Sequence, residues 1–100
     1  MKMHVLSVAV KEIEEVSDYF EEQRPGRGHE FILAYEEALQ QIHAFPGAWS
    51  KVEDNCRRRR LKKFIYGVVY RIHEGAIYVV AVMHMRRKPG YWKERLEDIE

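Results

Sequence analysis

Residues 64–83 constrain the fold more than any other part of the chain. Phe64-Ile65-Tyr66-Gly67-Val68-Val69-Tyr70-Arg71-Ile72-His73 is rich in β-branched and aromatic residues, which suit a pleated, half-buried strand. Alternation puts Phe64, Tyr66, Val68, Tyr70 and Ile72 on one face and Ile65, Gly67, Val69, Arg71 and His73 on the other. Glu74-Gly75-Ala76 reads as a hairpin turn, with glycine where positive φ is wanted. Ile77-Tyr78-Val79-Val80-Ala81-Val82-Met83 is a short apolar run that pairs back antiparallel as a buried strand.

A sheet of this kind needs an apolar cover, and the first half of the chain supplies one. His4-Val5-Leu6-Ser7-Val8 reads as a short first strand. A helix follows, from about Val8–Lys11 to Glu22, with Ala9, Ile13, Val16 and Phe20 on one face and Ser7 as its N-cap. Arg24-Pro25-Gly26-Arg27-Gly28 breaks it, since proline cannot continue a helix. A second helix runs from about His29 to Ala44. Phe31, Tyr35, Ala38, Ile42 and Phe45 form its stripe, and Ile32 and Leu39 widen it, so it is expected to be the more buried of the two. The short break implies an antiparallel helical hairpin whose acidic residues face solvent.

Arg57-Arg58-Arg59-Arg60-Leu61-Lys62-Lys63-Phe64 is read as a strand near a sheet edge, because neither alternating face is apolar. Tyr91 to Glu100 is read as a charged helical tail. The resulting order is β-α-α-β-β-β plus a tail. This is a single α+β domain over residues 1–100, with an antiparallel sheet and the helical hairpin packed on one face. The other face is expected to be more polar, with Arg58 or Arg59, Arg71, His84 and the 86–95 segment near its rim.

Charge is unevenly divided. Residues 1–50 hold four Lys/Arg against nine Asp/Glu, and residues 51–100 hold thirteen against seven. The basic half suits a polyanion or an acidic protein partner. No run approaches the roughly 18 apolar residues of a membrane span. Met1-Lys2-Met3-His4 lacks the apolar segment of a signal peptide. Cys56 is the single cysteine, so no internal disulfide can form and a reducing cytoplasm is expected. Beside four arginines Cys56 is either a thiol of lowered pKa or an incidental residue, and the second reading is preferred.

The residues with chemistry gather after the last strand, in His84-Met85-Arg86-Arg87-Lys88-Pro89-Gly90-Tyr91-Trp92-Lys93-Glu94-Arg95. Histidines 4, 29, 43, 73 and 84 are scattered without metal-ligand spacing, and no phosphate loop is present, so neither metal nor cofactor is expected. One His with several Arg suits RNA cleavage through the 2′-hydroxyl. That reaction needs a proton acceptor, a proton donor and cations around the charged phosphate. His84 is the candidate acid or base. Arg58, Arg71 and Arg87 are candidates to hold phosphate. Tyr91 and Trp92 could stack on a base, and Arg59, Arg60, Lys62, Arg86 and Arg95 would bind the rest of the substrate. The alternative reading makes His84 a strand-end hydrogen-bonding group and packs Tyr91 and Trp92 on the sheet.

Several segments, in order, carry a resemblance. They are Tyr19-Phe20-Glu21-Glu22 before Arg24-Pro25-Gly26-Arg27-Gly28, then Phe31, Pro46, Trp49, Arg57-Arg58, Phe64 to Arg71 and His84 to Arg95. From about Val5 to Arg95 the chain resembles the RelE/ParE superfamily, the toxins of type II toxin–antitoxin (plasmid stabilisation) modules. Ile65 departs from the proline that many relatives carry there. The resemblance implies a small sheet covered by a helical hairpin and a cognate antitoxin as partner. It leaves two activities open: a ribosome-dependent mRNA endoribonuclease of RelE type, or a ParE-like DNA gyrase poison that needs no catalysis. A relative without toxicity is a further alternative. The His84-x-x-Arg87 ending occurs in both kinds and does not choose between them.

Overall fold

In a computed structural model, which describes residues 1–99, four strands form one sheet. The elements are β1 (Lys2–Val5), α1 (Ser7–Gln23), α2 (Arg27–Ala44), β2 (Arg57–Arg60), β3 (Tyr66–His73) and β4 (Ala76–His84). A 3-10 turn, Lys93–Asp98, lies in the tail, where a helix was expected. The α+β class and the order of elements are as expected from the sequence.

The sheet order is β1-β4-β3-β2. β2, β3 and β4 pair antiparallel, but β1 runs parallel to β4, so the sheet is mixed. Leu6 alone separates β1 from α1, and its N–H donates to Val79 O at 3.0 Å. This tether sends α1 straight from β1 across the face of β4. Ser7 is the first helical residue, and Leu6 occupies the capping position without a side-chain cap, which corrects the expected Ser7 cap.

The basic strand is shorter than the sequence pattern suggests. β2 ends at Arg60, and Lys63 adopts a left-handed φ of 65° that turns the chain toward β3. Leu61 and Phe64 both enter the core beneath the helices, whereas strict alternation would have placed them on opposite faces.

One sheet face carries Val68, Tyr70, Ile77, Val79 and Val82 against Ala9, Ile13, Phe31, Tyr35, Ala38 and Ile42 of the helices. α2 is the more buried helix. Its stripe stops at Ile42, because Phe45 ends the helix and stays exposed.

The other face is not polar at its centre. Cys56, Val69, Val80, Ala81 and Met83 are buried there beneath Trp92 and Leu96 of the tail. A bulge between Val69 and Tyr70 pairs Val69 with Ala81 and Tyr70 with Val79. The register shift resets the alternation, so Val80 and Ala81 join the same cluster. Burial pushes the Cys56 thiol up to about 11, so it is not a reactive, low-pKa thiol.

Candidate functional site

His84 ends β4 opposite Tyr66, and the two rings meet edge to face with centroids 5.1 Å apart. Its Nδ1 accepts the Arg86 N–H at 3.1 Å, which puts the proton of the neutral ring on Nε2. Because Tyr66 packs against Phe20 and Phe31, His84 lies on the helix side of the sheet, which corrects the expectation that it shares the opposite face with Arg71.

Two recesses adjoin His84. One, of about 440 Å³, is lined by Tyr19, Phe20, Arg27, Phe64, Tyr66 and His84, with Lys63 and Ile65 completing the wall. The smaller, of about 230 Å³, lies toward Glu12, Glu15 and Arg87. The cations beside His84 are thus Arg27 and Lys63 on one side and Arg87 on the other. Arg27 and Lys63 were not among the residues singled out from sequence. Their only sequence signal was the Arg24–Gly28 break and the end of the basic tract.

The arginines expected to hold phosphate do not converge on His84. The Arg58 stem lies over Gly67, and its Nη1 is 3.9 Å from Met83 Sδ, on the tail side of the sheet. Arg71 also points to that side. It lines a cavity of about 530 Å³ with Asp54, Asn55, Lys93, Leu96 and Glu97. Arg87 is the single member of the expected phosphate-binding set beside His84, and its guanidinium sits 3.4 Å from the Tyr91 ring centroid.

Most residues expected to contact substrate have structural partners. Arg59 donates to Gln41 Oε1 of α2 through Nε at 3.0 Å and lies 5.2 Å from the Trp49 ring centroid. Lys62 pairs with Glu37 at 2.9 Å. Arg60 and Arg86 are exposed. Trp92 is fully buried and has no face for a base, which corrects its stacking role. Arg95 is likewise withdrawn: its guanidinium binds both oxygens of Glu12 and the Val80 carbonyl. Tyr91 donates to Glu12 Oε2 at 3.4 Å, and burial pushes its hydroxyl up to about 12.

Glu12 is a further residue that sequence reading missed. Its pattern position is that of a solvated helix residue, yet it gathers Arg95, Tyr91 and the Val82 N–H of β4. Among the described residues no group of three His, Cys, Asp or Glu side chains could hold a metal ion. No helix in them is long and apolar enough to cross a membrane.

Residues 6–89 match the profile of the ParE toxin of the type II toxin–antitoxin system parDE. This match spans most of the chain and settles its family. The chain belongs to the ParE toxin family. A solved structure of the chromosomal ParDE toxin–antitoxin system from P. aeruginosa has the same fold. It superposes with a TM-score of 0.76 over 84% of this chain and 95% of that one, at 15% sequence identity. No curated protein matches by sequence. At such low identity the likeness of structure extends to the backbone arrangement alone.

Proposed function

We propose that this ParE-family toxin acts by binding a protein target, DNA gyrase, and that an antitoxin holds it inactive. One observation carries the non-catalytic reading: the sheet separates His84 from Arg58 and Arg71. Phosphoryl-transfer catalysis needs the proton-transfer group and the charge-stabilising cations around one reacting centre. Here the imidazole faces the helices, two of the three expected phosphate ligands face the tail, and, of the cations that do adjoin His84, Arg27 is paired with Glu30 and Arg87 lies over the Tyr91 ring. The ParE match supports the same reading, and the endoribonuclease activity is the less supported alternative.

The test pairs two assays on the purified chain. Gyrase supercoiling is measured with wild type and His84→Ala, and primer extension is run on mRNA held by translating ribosomes with the same proteins. Inhibited supercoiling without new 5′ ends is expected. New 5′ ends that fall roughly 10²–10⁴-fold in rate in His84→Ala would establish a ribonuclease instead.

A further inference from the structure

Four separate segments build the larger recess beside His84. Tyr19 and Phe20 come from α1, Arg27 from the start of α2, residues 63–66 from the turn into β3, and His84 from the end of β4. Its volume of about 440 Å³ falls within the range of small-molecule sites, about 300–1,000 Å³. The turn that forms one wall is held in place by the fold itself. The Leu61 N–H donates to Tyr66 O at 2.9 Å, and the Met85 N–H donates to Ile65 O at 3.0 Å. Phe64 is buried, and its ring centroid lies 5.1 Å from that of Phe20 and 5.2 Å from that of Phe31. A hollow set up in this way loses little freedom when a ligand enters.

The chemistry of the walls is that of an anion site with aromatic sides. No carboxylate lines the recess. Arg27 lies 4.1 Å from the Phe64 ring centroid and donates to the Lys63 carbonyl at 3.4 Å. Glu30, outside the recess, accepts from Arg27 at 2.7 Å and offsets its charge. Lys63 makes no ion pair among the described residues, so one uncompensated positive charge stands at the wall. The His84 Nδ1 is occupied by the Arg86 N–H, which leaves Nε2–H as the donor of the neutral ring, and no described residue accepts it. Phe20 meets Phe64 and Tyr66 edge to face, at 66° and 78°. Rings so arranged offer faces and edges to a further ring.

We propose that this recess is a binding site for a small aromatic monocarboxylate. The ring of the ligand lies among Tyr19, Phe20 and Tyr66. Its carboxylate meets Lys63, and the His84 Nε2–H donates to a ligand oxygen or ring nitrogen. The charge count selects the monoanion: with Arg27 held by Glu30, the recess offers one free positive charge, which one carboxylate neutralises and a phosphate dianion exceeds. The aromatic walls select against an aliphatic acid, and Lys63 selects against an aromatic amine. The site goes beyond the reading of this toxin as a protein binder and does not depend on it.

The test is an amide NMR titration of the full chain with indole-3-carboxylate. Indole-3-carboxamide keeps the ring without the charge, and cyclohexanecarboxylate keeps the charge without the aromatic ring. Adenosine monophosphate and a short peptide with phenylalanine between glutamates complete the set. Saturable shifts at Tyr19, Lys63 to Tyr66 and His84 are expected with indole-3-carboxylate, and the carboxamide should bind about tenfold more weakly. Lys63→Asn removes the charge while keeping a residue that tolerates left-handed φ, and should also weaken binding about tenfold. Glu30→Gln releases Arg27 and should tighten binding, a gain that general loosening of the fold would not give. No saturable shifts, equal binding of the carboxamide or of cyclohexanecarboxylate, or unchanged affinity in either variant would overturn the proposal. Tighter binding of adenosine monophosphate would make this a phosphate site, and tighter binding of the peptide a protein-docking surface. Either result would overturn the monocarboxylate assignment. Supercoiling is read separately, so a failure of the gyrase reading leaves this site standing.

Discussion

Arg95 closes on Glu12 with both arms of its guanidinium, Nη1 to Oε1 at 2.9 Å and Nη2 to Oε2 at 3.1 Å. The two side chains are 19% and 17% exposed, so solvent screens the pair only in part. Nη1 also donates to Val80 O, and Glu12 Oε1 accepts the Val82 N–H. One contact thus ties α1, β4 and the tail together across the sheet edge. Removing either partner leaves the other charge poorly compensated. Arg95→Ala and Glu12→Ala are each expected to cost about 2–4 kcal/mol. A double-mutant cycle by urea unfolding measures the coupling, and independent, additive losses would show that the two side chains do not act as a pair.

Trp92 anchors the same tail by burial instead of charge. It is fully enclosed with Cys56, Val69, Met83 and Leu96. Trp92→Ala is expected to destabilise the fold by about 3–5 kcal/mol and to loosen the segment after His84. Limited proteolysis should then cut the exposed Arg86–Lys88 turn much faster than in wild type. Equal rates would mean that Arg95 and Tyr91 hold the tail without the indole.

The two helices touch at Gly28. A Cβ there would lie 2.5 Å from the backbone oxygen of Ser17, an atom that cannot swing away. Gly28→Ala is therefore expected to cost about 1–3 kcal/mol through overpacking, although alanine favours helices. A thermal melt reads it, and a raised Tm would refute the close approach.

Alkaline pH should unfold the protein through groups whose folded pKa is raised. Burial holds Cys56 at about 11 against 9.0, and Tyr35 and Tyr91 at about 12 against 10.0. Above the lower value the unfolded chain releases protons that the folded chain retains, so stability falls as pH rises. Their contribution is fully present below pH 9 and is lost progressively up to about pH 12. Cys56→Ala should flatten the first part of that decline, between pH 9 and about 11. Urea midpoints across this range check it, and an unchanged profile in the variant would exclude the thiol. In the native state the buried Cys56 should also resist alkylation at neutral pH.

Much of the fold was legible because its signals are local. The steps of three and four from Ala9 to Phe20 and from Phe31 to Ile42 are helix faces, and both helices form there. The β3–β4 hairpin follows from alternation, an apolar run and a glycine turn at Gly75, whose φ is 77°. Part of the site was legible too. His84 stands at the strand end expected for it, and the larger recess draws on Tyr19, Phe20, Phe64 and Tyr66 from the segments that carried the family resemblance.

The sequence by itself determined most of the elements and their order, because periodicity and turn chemistry depend on neighbours along the chain, and it pointed to the family through the ordered segments that carry the resemblance. Only the tertiary structure decided which groups meet. Alternation already put Tyr66 and Arg71 on opposite faces, but His84, expected on the face of Arg71, is carried to the helix side by its pairing with Tyr66 across β3 and β4. The bulge at Val69/Tyr70 and the parallel docking of β1 are likewise contacts between distant segments. Glu12 looks like any solvated helix carboxylate until the tail returns 83 residues later and brings Arg95 to it. A charge pattern along a chain cannot show that pairing, since the partner's position is set by how Trp92 and Leu96 pack on the far side of the sheet.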